Sequence, residues 1–529
     1  MSFLALSHTE SKRIAKRNEK YDQVQPGFCN EVEKPKTEVP VDPIIVHLGD
    51  LGRYQLFYCL IIFVAKFPSA WVTLAHLFVA GKAEYYCKDP SDADPCSKDC
   101  KTPDFNRSIF SETIEMTFDL TCGRFWLSSL TQFAVMGGIM VGAIIFGILS
   151  DKFGRRIIFN IECVLQLICG TTASFSVNYP MYITLRFLHA ANTGGQMTTS
   201  FVIIMEIIGP RYREAMTILY QIPFFSGYAL LPFISYFLRD WHYFYLAISS
   251  ISFFYLIYIC LIFESPRWLF TTGRLEKAIS IVEKVAKRNG RSAKDIDEIR
   301  PKMEAAYQQL LSSAPKKKGT LVDLFRTPNL RLNTIVMVYQ WLNACMVLYG
   351  SAQYISQLGG NIFINVCISG ISGIPGCVAC ICMTKYFGRR LTLILSNLVS
   401  AVGFLLIACI TTVNHIVVVT FAIIGLFGAT VTFPNLYLYA GEIFPTVVRT
   451  TGVGLCSCIG RVGSMIAPFV TSDLAAYSPI IPPLVYGIIA SLGFILTFLL
   501  PETKGRQIAE TLEDGEAIGK IQKKPKMES

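Results

Sequence analysis

Apolar stretches of about 20 residues recur along the whole chain, separated by shorter polar segments. Each stretch is long enough to cross the hydrocarbon layer of a bilayer, about 30 Å, as an α-helix. The last few stretches are interrupted by Gly and Pro, which membrane helices tolerate. The pattern predicts an all-α membrane protein with twelve spans, numbered 1 to 12, over residues 55–79, 126–149, 157–177, 181–208, 215–238, 242–263, 332–352, 361–384, 391–411, 415–438, 451–472 and 481–500.

The composition also indicates a membrane protein. Of 529 residues, 52% are hydrophobic and 16% are charged, and the mean hydropathy is +0.44. A soluble protein carries about 25% charged residues. The formal net charge of +10 is interpreted as a consequence of basic cytoplasmic loops. It therefore does not indicate a nucleic-acid partner.

Basic residues in the short loops predict the orientation of the spans. The loop after span 2 carries Lys152, Arg155 and Arg156, and the loops after spans 4 and 8 are also basic. The short loops on the opposite side, around Asn178 and Gln357, have no Lys or Arg. Because Lys and Arg concentrate in cytoplasmic loops, both termini are predicted to be cytoplasmic.

This topology divides the chain into five regions. Within the central loop, Leu275 to Asn289 and Asp295 to Leu311 have the periodicity of amphipathic helices. The regions are a cytoplasmic N-terminal segment (1–50), a first six-helix bundle (51–263) that includes a long outer loop (about 81–125), a cytoplasmic central loop (264–331), a second six-helix bundle (332–500) and a cytoplasmic tail (501–529).

The long outer loop carries the marks of an extracellular segment. It contains Cys87, Cys96, Cys100 and Cys122, an even number in a compartment that is oxidising by this topology. Two disulfides are expected, and three connectivities are open. Asn106 begins an Asn-Arg-Ser sequon and is the predicted glycosylation site.

Short motifs at the cytoplasmic ends of the spans occur twice. Gly154-Arg-Arg returns as Gly388-Arg-Arg, 234 residues later, and acidic residues repeat at nearly the same offset. Two similar halves in one orientation are a common design of secondary transporters. We expect these charges to form ion pairs between the halves that hold one face closed; the alternative is simple anchoring of basic loops. The candidates are Asp151, Arg155, Arg156, Glu206, Arg213, Glu264, Arg267, Arg389, Arg390, Glu442, Arg449 and Glu502.

Four segments together resemble one family. Asp151…Gly154-Arg-Arg, Glu264-Ser-Pro-Arg-Trp-Leu, Glu442-Ile-Phe-Pro-Thr-Val-Val-Arg and Pro501-Glu-Thr-Lys-Gly are similar to motifs of the organic ion transporters of the solute-carrier class. That group includes organic cation, organic anion and carnitine carriers within the major facilitator superfamily. The resemblance covers nearly the whole chain. It implies two six-helix bundles, a central site that opens alternately to each face, and a plasma-membrane location.

Two basic residues lie near the middle of spans, where a charge is costly and usually functional. These are Lys66 in span 1 and Arg461 in span 11. No acidic residue is expected at the middle of any span, since Glu162 and Glu206 are placed near span ends. Two unpaired cations at this depth favour an anionic group on the ligand.

The resemblance bears on substrate charge in two directions. Cation carriers of the family have an Asp where Arg461 stands, whereas anion and carnitine carriers have an Arg there. The acid that the family usually places just before Pro375 is also missing, because Gly373 and Ile374 stand there. In contrast, the segments 216–221 and 325–328 look more like the cation branch. The charges in the spans are given more weight.

Aromatic and amide side chains within the spans are expected to line the cavity around the body of the ligand. Rings of this kind hold flat or apolar groups and can also face a cation. The predicted substrate-site residues besides Arg461 and Lys66 are Tyr220, Gln221, Phe224, Tyr339, Trp341, Tyr349 and Tyr437. Gln340, Asn343 and Asn435 either contact the ligand or fix helix contacts.

The favoured function is transport of small organic anions or carboxylate-bearing zwitterions by alternating access. The alternatives are an organic cation transporter and a transport-inactive receptor or scaffold. The chain has no Walker A pattern and no His-Glu-x-x-His motif, so no enzyme activity, nucleotide, cofactor or metal site is predicted. The expected partners are a small organic ion and the lipid bilayer, and coupling to a counter-ion or an exchanged solute is left open.

Overall fold

The computed structural model describes residues 51–82, 84–89, 94, 96–97, 100, 102–312, 319–410, 414–506 and 509–518. The predicted N-terminal segment, residues 1–50, lies outside the described residues, as does most of the predicted tail beyond residue 506. The described chain is almost entirely helical, with one small antiparallel pair of strands.

Twelve membrane helices are present in the described chain, as the hydropathy pattern predicts. Several begin at an Arg or Pro just outside the apolar stretch. Their bounds are Arg53–Val79, Cys122–Phe153, Arg155–Ala173, Tyr179–Ile207, Arg211–Phe237, Trp241–Leu261, Pro328–Gln357, Ile362–Phe387, Arg389–Cys409, His415–Ile443, Arg449–Ala476 and Ile481–Thr497.

Ten of these helices are long and apolar enough to cross a membrane by length and composition. Span 4, Tyr179–Ile207, is as long as its neighbours, but buried polar residues such as Arg186 and Gln196 make it less apolar. Span 12, Ile481–Thr497, is apolar but has 17 residues. Both pack among the other spans, so the fold has two bundles of six helices.

Span 5 departs from the predicted regular helix. One helix ends at Leu219 and the next begins at Ile222, so Tyr220 and Gln221 form a turn between two helical segments. Pro223 stands at the start of the second segment, where its missing N–H costs nothing. The break means that Tyr220 and Phe224 do not lie on the face of one continuous helix.

Within the bundles, glycines allow backbones to approach each other. A Cβ atom built on Gly142 of span 2 would lie 1.8 Å from the carbonyl oxygen of Ala191 in span 4. From the other side, a Cβ on Gly194 would lie 2.2 Å from the carbonyl oxygen of Ile139. Small residues at such crossings let membrane helices pack by van der Waals contact.

The two bundles contact each other through spans 2 and 11 and through spans 5 and 8. Near the predicted outer face, the rings of Phe78 and Phe363 stack with centroids 5.8 Å apart. The ring of Phe133 in span 2 meets Phe469 in span 11 at 6.0 Å. These contacts close the outer side of the interface between the bundles.

The long loop between spans 1 and 2 is a small folded unit. The strands Tyr85–Cys87 and Pro103–Phe105 pair antiparallel, and a short helix follows at Ile114–Thr117. The two expected disulfides are present, with the connectivity Cys87–Cys100 and Cys96–Cys122. Glycosylation of Asn106 stays a prediction.

The central loop is mainly helical. The helices between Pro266 and Ser312 pack on the inner end of the first bundle, and residues such as Val282 and Met303 are buried in their shared core. The helix Asp323–Arg326 packs on span 7. The bounds are Pro266–Thr271, Leu275–Arg288, Ala293–Asp297, Ile299–Ser312 and Asp323–Arg326, and a further helix, Leu512–Ala517, follows span 12.

Candidate functional site

Lys66 lies deep in the first bundle and faces an aromatic ring. It begins the second helical segment of span 1, Lys66–Leu74, and it is 3% exposed. The ammonium nitrogen lies 4.2 Å from the ring centroid of Tyr220, and the Tyr220 hydroxyl is 2.6 Å from Ser200 Oγ. The turn at Tyr220 therefore places a polarised ring directly against the cation.

Arg461 holds the corresponding depth in the second bundle. It is 9% exposed, and its Nη1 donates to the hydroxyl oxygen of Tyr349 over 3.2 Å. A Cβ on the neighbouring Gly460 would lie 3.0 Å from Cys345 Sγ, and one on Gly463 would lie 2.6 Å from a span 7 carbonyl oxygen. These glycines bring span 11 close to span 7, so the guanidinium is fixed beside Tyr349.

A chain of aromatic rings runs from Tyr220, beside Lys66, across the bundle interface into the second bundle. The ring of Phe201 lies 5.5 Å from that of Tyr220 and 6.3 Å from that of Tyr437. Tyr437 in turn contacts Trp341 at 4.5 Å. The sequence did not single out Phe201, because nothing in its own segment shows that it meets the second bundle.

Two basic side chains, one from each bundle, are buried in this region. Lys66 and Arg461 are close enough to interact repulsively. In the described part of the chain, neither forms an ion pair with an Asp or Glu. Buried charges are normally paired, so these two side chains are the unusual basic groups of the buried region.

The prediction that no acidic residue lies at the middle of a span is wrong for Glu162. It is the eighth residue of the 19-residue span 3 and is fully buried, so an acidic residue does lie near the middle of a span. Its Oε1 accepts a hydrogen bond from Thr199 Oγ1 at 3.1 Å. The carboxyl thus faces span 4 and forms no ion pair with Lys66.

Other predicted site residues have structural contacts. The Tyr339 hydroxyl donates to the Ile489 carbonyl of span 12 over 2.9 Å, so this ring lies against its own bundle. Gln340, Asn343 and Asn435 also hydrogen-bond within the second bundle, which places them in helix contacts. Gln221 and Phe224 are buried beside the turn of span 5.

At the predicted inner face, Arg155 is the centre of an ion-pair cluster in the first bundle. Its guanidinium contacts both oxygens of Glu206, at 3.1 and 3.3 Å, and Asp151 at 2.9 Å. The backbone N–H groups of Arg155 and Arg156 donate to Glu264. The carboxylate of Glu264 therefore caps the start of span 3.

The second bundle repeats this cluster around Arg389. The Arg389 guanidinium contacts Glu442 Oε1 at 2.8 and 3.1 Å. Glu502 accepts from the backbone N–H groups of Arg389 and Arg390, both at 3.0 Å. The motif repeat thus corresponds to a repeated cap at the start of spans 3 and 9.

The prediction that the repeated charges form ion pairs between the halves is wrong for Glu206 and Glu442, because each pairs with an arginine of its own bundle. Among the ion pairs of the described chain, the one that joins the bundles is Arg389 with Glu214 of span 5, at 2.7 Å. The sequence did not identify Glu214. At the position of Asp151, the second half has Lys385, so Arg389 lacks that local carboxylate and contacts Glu214.

The remaining repeated arginines also bind locally. Arg213 Nε donates to the Ile208 carbonyl over 3.1 Å, and Arg449 Nε donates to the Phe444 carbonyl over 3.2 Å. Each contact ties the start of a span to the end of the preceding one. Arg267 lies in the helix Pro266–Thr271 that follows span 6.

Comparison with known proteins agrees with this architecture. The sugar (and other) transporter family matches residues 103–514. Solute carrier family 22 member 3 of Rattus norvegicus is 35% identical over 81% of this chain and 75% of its own length. An organic cation transporter-like protein of Drosophila melanogaster is 30% identical over 90% of this chain and 93% of its own length.

Solved structures show the same fold. The inward-open xylose transporter XylE from E. coli superposes with a TM-score of 0.63 at 17% identity, covering 88% of this chain and 99% of XylE. XylE bound to 6-bromo-6-deoxy-D-glucose gives a TM-score of 0.62 at 17% identity, over 87% of this chain and 98% of that one.

The fold is that of a major facilitator transporter and not of an enzyme. The chain belongs to the sugar (and other) transporter family and, within it, to the solute carrier 22 group of organic ion transporters. It is a multi-pass membrane protein that transports small organic ions.

Proposed function

We propose that the transported ion is a small organic anion or a zwitterion with a carboxylate. The observation that carries the proposal is the pair Lys66 and Arg461, two buried cations from opposite bundles without an acidic partner among the described residues. A carboxylate between them would relieve their repulsion. The rings of Tyr220, Tyr437 and Trp341 would then contact the body of the substrate.

The proposed mechanism is alternating access by rocking of the two bundles, without covalent chemistry. The substrate contacts both bundles, so its binding favours the state in which they approach each other. On the inner face, the Arg389–Glu214 pair is the proposed gate contact that forms and breaks. The clusters around Arg155 and Arg389 keep each bundle rigid during this motion.

An organic cation is the second candidate. Relatives of the chain carry the name organic cation transporter, and the Tyr220 ring already faces one cation, the Lys66 ammonium. An aromatic cavity can bind a quaternary ammonium through ring faces. In this case Arg461 would hold Tyr349 in place and would not contact the substrate.

The plasma membrane is the proposed location, with both termini in the cytoplasm. This proposal follows from the basic loops after spans 2 and 8 and from the disulfide-bonded loop on the opposite side. Surface labelling of an epitope inserted in the outer loop of intact cells tests it. Labelling only after permeabilisation would contradict it.

Uptake of three labelled probes tests the substrate class. The probes are an aromatic monocarboxylate, a carnitine-like zwitterion and a quaternary ammonium, presented to proteoliposomes with the wild type, Arg461→Ala or the control Arg326→Ala, which alters an exposed arginine. We expect carboxylate uptake that Arg461→Ala abolishes and Arg326→Ala leaves intact. Uptake of the quaternary ammonium alone, unaffected by Arg461→Ala, would establish the cation alternative. Absence of uptake of all three would favour a transport-inactive receptor.

A further inference from the structure

Three potential metal ligands meet at the predicted outer face of the first bundle. Glu112 belongs to the long loop between spans 1 and 2, whereas Asp240 and His242 lie at the start of span 6. Their carboxylate oxygens and an imidazole nitrogen all lie within 4.8 Å of one another, and all three side chains are half-buried. The sequence did not predict this cluster, because Glu112 is more than 120 residues away from Asp240 and His242 along the chain.

The backbone around the cluster is held firmly. Glu112 and Asp240 form a parallel bridge, and the Trp241 N–H donates to the Glu112 carbonyl over 3.2 Å. The Trp241 ring is buried, and its Nε1 donates to Thr117 Oγ1 over 2.8 Å. The position of the three ligands is therefore fixed by the packing of the loop on span 6.

The basic group beside these carboxylates is the imidazole of His242, whose Nδ1 lies 3.1 Å from Asp240 Oδ1. Within the described residues, neither Glu112 nor Asp240 forms an ion pair with a Lys or Arg. The adjacent Arg239 directs its guanidinium to the Ser108 carbonyl, at 3.3 Å, and over the Tyr236 ring. Two neighbouring carboxylates without a Lys or Arg partner repel each other, and a bound metal ion would reverse that repulsion.

We propose that Glu112, Asp240 and His242 bind one divalent transition-metal ion, of which Zn²⁺ fits best. One imidazole nitrogen and two carboxylates are a donor set that suits Zn²⁺, with water as the fourth ligand of a tetrahedral site. Mg²⁺ and Ca²⁺ prefer oxygen ligands alone. His242 Nδ1 and Asp240 Oδ1 are already 3.1 Å apart, close to the roughly 3.3 Å that two ligands of tetrahedral zinc require.

The metal ion would join the outer loop to the start of span 6 and stabilise the first bundle. Ligand binding to the folded state alone raises the melting temperature as the concentration of ligand increases. The test is a titration of the purified full-length protein with ZnCl₂, followed by its melting temperature. The variants are His242→Gln and Glu112→Gln, and the control is His415→Gln, which alters an exposed histidine at the outer end of span 10.

We expect a saturable rise in melting temperature for the wild type and for His415→Gln. Both ligand variants should need at least about tenfold more Zn²⁺ for the same rise. Equal Zn²⁺ responses of the wild type and both ligand variants would overturn the proposal, as would no response at all. An equal response to MgCl₂ or CaCl₂ would contradict the assignment to a transition metal. Asp240 is left unchanged, because its side chain also caps span 6.

Uptake of whichever of the three labelled probes the wild type transports, measured in the same preparations, shows that each variant is folded. His242→Gln could lower uptake in the absence of added metal, which would indicate damage to the fold. The test then relies on Glu112→Gln, because the amide oxygen of the new side chain can still accept the hydrogen bond from Thr117. Loss of the Zn²⁺ response in a Glu112→Gln protein with wild-type uptake supports the site. Retention of the full response in that protein refutes it.

Discussion

At the scale of single residues, burial decides which charges have a special role. Lys66 and Arg461 could be recognised in the sequence because a basic residue at mid-span has no water to contact. Their surroundings could not be predicted, because rings such as Phe201 and Tyr437, which meet across the interface, belong to opposite bundles. A single sequence shows which residue is unusual in its segment and does not show what faces it from another helix.

Glu115, in the loop between spans 1 and 2, should make stability depend on pH. Burial raises the pKa of its carboxyl to about 7, although a hydrogen bond from Ser128 Oγ, at 2.9 Å, and the nearby Lys82 lower it. Between about pH 4 and pH 7 the unfolded chain loses this proton first, so the free energy of unfolding falls by about 3 kcal/mol as the pH rises.

Melting temperatures of the wild type and Glu115→Gln between pH 5 and pH 8 test this effect. We expect the variant to lose the decline towards high pH and to be the more stable protein at pH 8. Glu84→Gln, which changes an exposed carboxylate of the same loop, should behave as the wild type does. An unchanged decline in Glu115→Gln would show that another group is responsible.

At the scale of elements, the contact of span 2 with span 4 depends on the absence of side chains. Replacing Gly by Ala in a helix interior normally stabilises by up to about 1 kcal/mol. At Gly142 the new methyl group would overlap the Ala191 carbonyl oxygen, 1.8 Å away, so we expect destabilisation by about 1–3 kcal/mol.

The matched control is Gly441→Ala in span 10, where a Cβ atom has no neighbour within 4 Å. In detergent, Gly142→Ala should melt at a lower temperature than the wild type, whereas Gly441→Ala should melt at the same or a higher temperature. If both variants melted alike, the close crossing of spans 2 and 4 would not be important for stability.

The positions of the spans could be predicted well, because length and hydropathy are properties of the local sequence. Their ends could not, since span 3 begins at Arg155, where it is capped by the carboxylate of Glu264, a residue 109 positions later in the chain. The break of span 5 at Tyr220 was also missed. An apolar stretch indicates that a segment lies in the membrane, but it does not show where the helix breaks or bends.

At the scale of the whole molecule, the two halves repeat the same caps but differ in how they contact each other. The Arg389–Glu214 pair joins the bundles at the predicted inner face, with 8% and 45% of the side chains exposed. A partly exposed pair is worth about 1 kcal/mol. Its loss should shift the equilibrium towards an open inner face by about fivefold.

Distances between spin labels on the two bundles measure this shift. The labels are placed with Lys152→Cys and Lys385→Cys, both exposed at the inner face, in a protein whose exposed free cysteines Cys260, Cys382 and Cys409 are replaced by Ser. Adding Glu214→Gln should increase the population with long distances. Glu298→Gln, which removes an exposed pair in the central loop, should not. Equal long-distance populations in the Glu214→Gln and Glu298→Gln proteins would show that Glu214 is not part of the gate.

In the proposed function, Lys66 and Arg461 select a negatively charged group on the substrate. Reversal of one charge tests it most directly, by uptake of an aromatic monocarboxylate and of a quaternary ammonium in the wild type and in Arg461→Asp. We expect the variant to lose carboxylate uptake and to gain uptake of the quaternary ammonium. Carboxylate uptake that is unchanged in Arg461→Asp would contradict it.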